Sequence, residues 1–405
     1  GQGAAGLSAL EAFRRYDKKS EIIVISKERF PYTRVFLHHY LDGSITEDVL
    51  YIRDRSFYKD HRVRFIKGKV VSVDPSLSKI FLENEREISY DMLLIATGAS
   101  PIIPDVPGMV GKDIFTFWSL EDVKGIKRRM GRINSVAIIG GGLVGIQAMQ
   151  AFVGSGKKVY VIEAAEQILS RIVDGRLSMI IEDYLIQKGI HLRKNERVSE
   201  IRRKGKRSII FLSNGDEIAV DAVVVAVGAK PDLPDFIGGE VKKGSGIIVD
   251  ERMRSNINNI FAAGDVAQST DIITGKKEIH ALWSIAVEQG KIAGENMAGI
   301  NSTYEGALSW STLNIFDLQI TSFGQIEDGH YDVRVYEKKD ELIYRKLIYR
   351  EDRLIGGLFL NFHNDAGVLY TLSKKGVRLS LWKELLHKSP INYGKLLNAY
   401  MRLLI

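Results

Sequence analysis

Three glycines, Gly140, Gly142 and Gly145, stand in GxGxxG spacing, and an acidic residue, Glu163, follows 18 positions after the third. In this spacing the first glycine turns the chain and the second lets a pyrophosphate approach the backbone. The third lets a helix and a strand pack closely. An acid after the next strand can accept hydrogen bonds from both hydroxyls of an adenosine ribose. These residue types in this order predict a dinucleotide-binding segment.

The sequence on either side of these residues predicts the strands and the helix that must position them. Val136–Ile139 is a four-residue apolar run typical of a buried strand, and a helix is predicted from Leu143 and Val144 onward. Val159–Ile162 then forms a second apolar strand that ends at Glu163. A helix that starts directly after the glycines points its N-terminus at the phosphates.

The same pattern occurs at the start of the chain. Gly1–Phe13 and Gly140–Phe152 are identical at 6 of 13 positions, including all three glycines, which predicts two dinucleotide sites. The strand that should precede Gly1 is absent from the sequence, and we expect this chain to start late. After the second strand of this unit, Ser26 takes the position of the ribose acid, and Glu28 is the candidate carboxylate to replace it.

Two further segments end a strand with glycine and proline. They are Tyr90–Pro101 (YDMLLIATGASP) and Asp221–Pro231 (DAVVVAVGAKP), and they predict two crossings between domains. Since the second GxGxxG unit lies between them, one nucleotide-binding domain is predicted to be inserted into the other. In a third segment, Gly264 and Asp265 follow a predicted strand at its carboxyl end, where such sheets bind ligands.

The predicted fold class is α/β, with two Rossmann-like domains, one inserted in the other, and a smaller α+β C-terminal domain. The predicted boundaries are 1–103 and 231–304 for the first nucleotide-binding domain, 104–230 for the second, and 305–405 for the C-terminal domain. The last domain is predicted from shorter strands around residues 318–323, 333–336, 344–349 and 354–359, followed by a basic helical tail.

Composition limits the chemistry. The 405 residues include no cysteine, which excludes disulfides, a thiolate-ligated iron–sulfur cluster and a redox-active thiol in this chain. No run of about 18 apolar residues occurs, so a membrane span is not expected. We expect a cytoplasmic protein without a metal site and without nucleic-acid binding.

Positive charge is concentrated at the C-terminus. Residues 374–405, called the basic tail below, carry +6 of the net charge of +7. Such a tail can attract an acidic protein, through Lys383, Lys388 and Lys395, or it can be a solvated face without a partner. Its last helix, predicted over Tyr393–Ile405, is compatible with membrane-surface contact, but packing within the protein is favoured.

Together these motifs resemble the FAD-dependent pyridine nucleotide oxidoreductases. The order is GxGxxG, ATG, GxGxxG with Glu163, VGAKP and AAGD, over residues 1 to about 300. The stretches PYTRVFL and WSIAVEQGKIAGENMAG look like the branch that holds NADH:rubredoxin oxidoreductases, nitrite reductase flavin domains, ferredoxin reductases and apoptosis-inducing factor. The absence of cysteine excludes the disulfide reductases and the peroxidase-like members.

The resemblance implies the cofactors FAD and NADH and a set of residues around each. Around FAD it implies Gly1, Gly3, Ala5, Gly6, Ser26, Glu28, Arg34, Val70, Ala96, Thr97, Gly98, Gly264, Asp265 and Trp283. Around NADH it implies Gly140, Gly142, Leu143, Val144, Gly145, Gln147, Glu163 and Gly228. Relatives often have glutamate at the position of Gln147, so the charge there is lost. No catalytic acid or base is implied, because the cofactor carries the chemistry.

The implied reaction is hydride transfer from NADH to flavin N5, followed by electron transfer to an acceptor outside the chain. The acceptor is expected to be a small acidic iron–sulfur or rubredoxin-like protein, or a partner metalloenzyme. A peroxide-forming NADH oxidase, a quinone reductase on a membrane surface and a flavin-bearing subunit of a larger redox complex remain alternatives.

Overall fold

The structure, a computed structural model, describes residues 1–362, 364–380 and 382–386. The α-helices in this part are α1 (Ala4–Tyr16), α2 (Leu37–Asp42), α3 (Glu47–Leu50), α4 (Phe57–Asp60), α5 (Leu120–Lys127), α6 (Leu143–Gly154), α7 (Gly175–Gln187), α8 (Trp283–Met297), α9 (Ala366–Lys374) and α10 (Lys383–Leu386), with 3-10 turns at Met130–Arg132 and Lys339–Glu341.

The strands are β1 (Ile22–Ser26), β2 (Val63–Lys67), β3 (Val70–Asp74), β4 (Lys79–Leu82), β5 (Glu87–Ser89), β6 (Leu93–Ile95), β7 (Ala99–Pro101), β8 (Ile114–Thr116), β9 (Ser135–Ile139), β10 (Lys158–Ile162), β11 (His191–Arg193), β12 (Val198–Lys204), β13 (Arg207–Leu212), β14 (Glu217–Val220), β15 (Ala222–Val225), β16 (Ala229–Pro231), β17 (Asp235–Phe236), β18 (Ile247–Ile248), β19 (Ile260–Ala262), β20 (Ala267–Thr270), β21 (Lys277–Glu278), β22 (Trp310–Ile315), β23 (Leu318–Gly324), β24 (Asp332–Lys338), β25 (Ile343–Arg350) and β26 (Arg353–Leu360).

The chain divides into two compact units. The first contains Gly1–Ile102 and Ala229–Ala307, and the second contains Ile103–Gly228 and Leu308–Ile405. The four-segment domain division made from the sequence stays a prediction.

The first unit is built from parallel strand pairs and a small mixed sheet. Strand β1 pairs in parallel with β2, and β6 pairs in parallel with β19. Strands β17, β3, β4 and β5 form a separate four-stranded sheet. The two segments predicted to cross between domains pair with each other, because β7 lies antiparallel to β16 with Ala99 opposite Pro231.

The part of the second unit before residue 229 has a five-stranded parallel sheet in the order β11-β10-β9-β15-β8. Strands β9 and β15 are buried along their whole length, which explains why both are continuous apolar runs in the sequence. A three-stranded antiparallel sheet, β12-β13-β14, follows β11 in the chain. The predicted α/β class with parallel strands is confirmed.

The C-terminal part of the second unit is a five-stranded antiparallel sheet in the order β22-β23-β26-β25-β24, with α9 packed against it. The four shorter strands predicted from the sequence are confirmed as β23 to β26. The predicted helix over 393–405 lies outside the described residues.

Helix α7 joins the two parts of the second unit. Asp174 caps this helix, because one carboxylate oxygen accepts the N–H of Leu177 at 2.9 Å. Its other oxygen accepts from Lys346 Nζ at 2.7 Å and from Tyr344 OH at 2.9 Å, both on strand β25. The C-terminal sheet is therefore held to the nucleotide-binding part by a largely buried charge pair.

Near the end of the described residues, the charge of Lys383 is paired within the protein and is largely buried. Its ammonium group lies 2.9 Å from Asp332 Oδ2 and 2.6 Å from Asp352 Oδ1, and its side chain is only 13% exposed. The inclusion of Lys383 among the lysines available to an acidic partner is therefore wrong. Lys388 and Lys395 lie outside the described residues.

No helix in the described ranges is long and apolar enough to cross a bilayer. Those same ranges contain no group of three or more histidine or acidic side chains arranged to hold a metal ion.

Candidate dinucleotide-binding sites

The second glycine loop, Gly140–Gly145, requires glycine at its two ends. Gly140 has φ of +108°, and a Cβ there would lie 2.4 Å from the carbonyl oxygen of Ala226. A Cβ on Gly145 would lie 1.9 Å from the carbonyl oxygen of Gly140. The loop therefore closes tightly between the end of β9, the end of β15 and the first turn of α6.

The first glycine loop, Gly1–Gly6, repeats this geometry with other partners. A Cβ on Gly1 would lie 2.1 Å from the carbonyl oxygen of Ala96, and a Cβ on Gly6 would lie 2.0 Å from that of Gly1. The carbonyl oxygen of Ala96 in the ATG segment thus lies against the first glycine of its loop, as that of Ala226 does in the second unit. The repeat seen in the sequence is a repeat in structure.

The middle glycine of each loop is different. Gly3 and Gly142 are the N-caps of α1 and α6, both with φ of −77°, and no heavy atom lies within 4 Å of a Cβ built on either. Neither helix has a side-chain cap or an acidic residue in its first turn. Since the first N–H groups of a helix have no partner within the helix, each loop presents donors and a positive dipole end to an anion.

Glu163 is held beside the second loop by two backbone donors. Its carboxylate accepts the N–H of Gly141 at 2.6 Å and the N–H of Ala165 at 2.8 Å. The strand register explains this position, because Glu163 directly follows β10, which pairs with β9 in the sheet. The acid predicted for the ribose is therefore fixed in place next to the glycines.

In the first unit the corresponding position is Ser26, the last residue of β1. Its hydroxyl accepts the N–H of Glu28 at 3.3 Å. The Glu28 carboxylate accepts from Tyr32 OH at 2.5 Å, and its main-chain oxygen accepts from Gln2 Nε2 at 2.7 Å. The main chain of Glu28 is therefore hydrogen-bonded to Gln2 in the first glycine loop, and the assignment of its carboxylate in place of the missing ribose acid stays a prediction.

Arg34 and Asp265 come together in the first unit. Arg34 also lies 3.4 Å from Glu28 Oε1. Burial raises the pKa of Asp265 above its ordinary value, and the positive charge of Arg34 opposes this rise. A largely buried carboxylate with a raised pKa is a common feature of binding sites.

The AAGD segment and α8 both lie against the first glycine loop. Gly264 has φ of +79°, and a Cβ there would be 3.1 Å from the Ala5 side chain. A Cβ on Gly290 would be 2.2 Å from the Ala5 carbonyl oxygen, and one on Gly294 would be 2.2 Å from that of Ala9. The small residues of the α8 stretch thus allow α8 to cross α1 backbone to backbone.

The other predicted positions are placed as follows. Thr97 is exposed and Gly98 has φ of +74° in the turn between β6 and β7, while Gly228 has φ of +121° in the matching turn before β16. Val70 begins β3 and is half-buried. Leu143, Val144 and Gln147 lie in the first two turns of α6 and are half-buried. Trp283 is the first residue of α8 and is 37% exposed.

Sequence reasoning did not single out two glutamines that organise the first site. Gln2 is buried and accepts from Tyr58 OH at 2.6 Å while it donates to Glu28. Gln289, 1% exposed, accepts the N–H of Gly264 at 2.8 Å and donates to Ser269 Oγ at 2.9 Å. Gln289 belongs to the WSIAVEQG stretch that supported the resemblance, whereas no sequence pattern marks Gln2.

The family and cofactor class follow from this geometry and from comparison with known proteins. The chain belongs to the pyridine nucleotide-disulphide oxidoreductase family, whose model matches residues 1–290. Residues 310–369 match the rubredoxin NAD+ reductase C-terminal domain. The chain is thus an NAD(P)H-dependent flavoprotein oxidoreductase that uses FAD and NAD(H), as the motifs predicted.

Three similar proteins illustrate the range of the family. An NADH oxidase of Methanocaldococcus jannaschii is 31% identical over 336 residues, which is 80% of this chain and 75% of that protein. The epsilon subunit of an NADH-dependent phenylglyoxylate dehydrogenase of Aromatoleum evansii is 28% identical over 98% of this chain and 95% of its own. A ferredoxin reductase of Rhodopseudomonas palustris superposes with a TM-score of 0.81 at 26% identity, covering 89% of each chain.

Proposed function

We propose that the first glycine loop, with Asp265 and Arg34, holds FAD, and that the second, with Glu163, holds NADH. The supporting observation is the repeated loop, in which uncapped helix starts meet glycines with open space at the middle position. Asp265 supplies a carboxylate acceptor for hydroxyl groups, and Arg34 supplies a cation for phosphate. We propose that the remaining predicted positions border the same two cofactors.

For the FAD site we propose contacts from the backbones of Ala5 and Val70 and from the Thr97–Gly98 turn. For the NADH site we propose the first-turn N–H groups of α6, at Leu143 and Val144, with Gln147 one turn further on. These roles are what the resemblance to the family implies for the matching positions of this chain.

The acceptor of the electrons is proposed to be a protein. Bound FAD supplies the chemistry that takes a hydride from NADH and releases electrons singly, while the chain binds and orients both cofactors. The sequence contains no cysteine, so no thiol of this chain can carry the electrons onward. A small acidic iron–sulfur or rubredoxin-like protein is the acceptor that the C-terminal domain match favours. We also propose a cytoplasmic location.

This proposal is tested with the purified chain under anaerobic conditions. NADH should bleach the flavin absorbance, and added rubredoxin should restore it faster than dioxygen or a soluble quinone does. A protein that takes up no FAD on reconstitution, or whose reduced flavin is reoxidised fastest by dioxygen, would contradict it.

A second candidate is a flavin-bearing subunit of a larger redox complex. It is favoured by the similarity to the epsilon subunit, which covers nearly the whole of both chains. In that case the isolated chain should be reduced by NADH but should pass electrons slowly to rubredoxin. Turnover with rubredoxin as fast as flavin reduction would exclude the need for further subunits.

A further inference from the structure

The residue between the first two glycines of the second loop, Gly141, is enclosed by the segment that follows β10. Its carbonyl oxygen accepts the N–H of Leu169 at 2.9 Å, and its N–H donates to Glu163 Oε2 at 2.6 Å. A Cβ on Gly141 would lie 2.7 Å from Ile168 Cγ2. Residues 164–173, called the covering segment below, therefore lie directly against the backbone of the glycine loop.

The covering segment has an unfavourable backbone conformation at this contact. Leu169 has φ of +53° and is 2% exposed. A leucine rarely adopts this left-handed conformation, which persists only where the surrounding structure holds it in place. The Leu169 carbonyl oxygen accepts the N–H groups of Ile172 and Val173 at 2.8 and 3.1 Å, which closes a turn. Contacts from outside the segment are therefore expected to support this turn.

Such contacts come from two residues of α7. Glu182 Oε1 accepts the N–H of Ile168 at 3.3 Å, and Ser178 Oγ lies 3.0 Å from the Ile168 carbonyl oxygen. Ser178 Oγ also lies 2.9 Å from Glu182 Oε1, so the two side chains hold each other. Glu182 is 5% exposed and Ser178 is fully buried. Both polar groups of the Ile168 backbone are thus bound from α7, and the sequence reasoning singled out neither residue.

The carboxylate of Glu182 is also paired with a lysine. Lys194 directly follows β11, and its Nζ lies 2.6 Å from Glu182 Oε2. Since acidic side chains are almost never fully buried unless they are paired, this contact explains why Glu182 can lie under the covering segment. The end of β11 also holds the ribose acid, because the Arg193 carbonyl oxygen accepts the N–H of Glu163 at 2.8 Å.

The first glycine loop makes the corresponding contact in another way. Gln2 takes the position of Gly141 there, and its side chain donates to the Glu28 carbonyl oxygen at 2.7 Å. In the second loop a glycine lets the covering segment approach the loop backbone itself. The position of Gly141 therefore depends on how firmly the covering segment is held, and α7 supplies that hold.

We propose that Glu182 and Ser178 are positioning residues that strengthen the preference for NADH over NADPH by holding the covering segment against the second glycine loop. This inference rests on the proposed NADH site at that loop. Both side chains act through Ile168, and neither is assigned a contact with the nucleotide. Without them the covering segment relaxes, and the Glu163 carboxylate loses its fixed place beside Gly141. It then binds ribose hydroxyls less well and repels a 2′-phosphate less.

The test is anaerobic stopped-flow reduction of the flavin by NADH and by NADPH, which gives a limiting rate and an apparent Kd for each nucleotide. Glu182→Ala should raise the apparent Kd for NADH roughly tenfold and leave the limiting rate and the bound FAD unchanged. The NADH-to-NADPH ratio of efficiencies should fall by a similar factor, because NADPH gains from the relaxed Glu163 what it loses at the glycine loop. Glu182→Gln should retain most of the ratio, since its amide oxygen can still accept the N–H of Ile168.

Two further variants complete the test. Ser178→Ala should lower the ratio in the same direction, and it decides the question if Glu182→Ala does not fold. The matched control is Asp183→Asn, at the exposed neighbour of Glu182 on α7, which should change neither nucleotide.

An unchanged NADH-to-NADPH ratio in the folded Glu182→Ala and Ser178→Ala variants would overturn the proposal, even if stability or both Kd values changed, because the residues would then be only structural. A Glu182→Gln variant as impaired as Glu182→Ala would also overturn it, since the acceptor oxygen would not be what holds the segment. Failure of the proposed function gives a different result, because NADH would then not reduce the flavin of the unchanged protein.

Discussion

The two kinds of glycine in each loop should respond to alanine in opposite ways. In Gly145→Ala the new Cβ would lie 1.9 Å from the carbonyl oxygen of Gly140, a backbone atom that cannot turn away. The strand and helix must separate, and overpacking of this kind costs about 1–3 kcal/mol of unfolding free energy. NADH binding should be lost with the loop geometry.

Gly142→Ala should instead leave the protein at least as stable as before. Gly142 has φ of −77° and ψ of −176°, an extended conformation open to alanine, and nothing lies within 4 Å of the new Cβ. Restriction of the unfolded chain predicts a gain of about 0.4–1 kcal/mol. However, the methyl group would stand where we propose that the pyrophosphate of NADH approaches α6, so the Kd for NADH should rise roughly 10- to 100-fold, or about 1.4–2.8 kcal/mol.

The assay pairs chemical denaturation without nucleotide and NADH titration for both variants. Gly3→Ala and Gly6→Ala form the matched pair in the first loop, read out by retained FAD, since the Gly6 Cβ would lie 2.0 Å from the Gly1 carbonyl oxygen and Gly3 is open. An unchanged NADH affinity in Gly142→Ala would refute the placement of the pyrophosphate at this helix. An unchanged stability in Gly145→Ala would refute the steric argument.

Three further predictions concern charged residues. The fixed carboxylate of Glu163 should repel a 2′-phosphate, so NADH should be preferred over NADPH by about 30- to 150-fold in stopped-flow flavin reduction, or roughly 2–3 kcal/mol; equal efficiency would show that a basic residue reaches the site. Because the pKa of Asp265 is raised in the folded protein, its ionisation opposes folding above that pKa and ceases to matter below about pH 3.9, the value for an unfolded chain. Asp265→Asn should therefore stabilise the FAD-free protein at neutral pH, by an amount that shrinks as the pH is lowered toward 4 in denaturation experiments, and a stability loss at pH 7 would contradict this. If the basic tail steers an acidic acceptor, Lys388→Gln with Lys395→Gln should weaken the salt dependence of rubredoxin reduction and spare flavin reduction by NADH. Lys383→Gln is not a test of steering, because it breaks the ion pairs with two aspartates and should mainly lower stability.

Much of the fold was predictable because its signals are local. The apolar runs of β9, β10 and β15 are continuous, as buried parallel strands require, and each glycine loop precedes a helix. The C-terminal strands were also located from the sequence. The attachment of this sheet to α7 was not, because the contact between Asp174 and Lys346 joins residues 172 positions apart.

The candidate sites were predictable to the extent that one residue type is sterically required. Only glycine fits at positions 140 and 145, so the spacing of these glycines in the sequence identifies the loop directly. The residue that replaces the ribose acid in the first unit was harder to find. Ser26 fills the expected position, and the assignment of Glu28 in its place stays a prediction, because the hydrogen bond from Gln2 reaches the main-chain oxygen of Glu28 and not its carboxylate.

The sequence by itself determined the two glycine loops, the order of strands and helices around them, and the exclusion of thiol chemistry. These depend on backbone conformation, short-range steric contact and composition, all of which a local stretch specifies. Tertiary structure alone decided which distant groups surround each loop. Three contacts of this kind arise when separate segments exclude water together: the Ala96 carbonyl against Gly1, Arg34 beside Asp265, and Gln289 against Gly264. Burial raises the pKa of Asp265 and the charge of Arg34 opposes this rise, and both effects are properties of the packed chain.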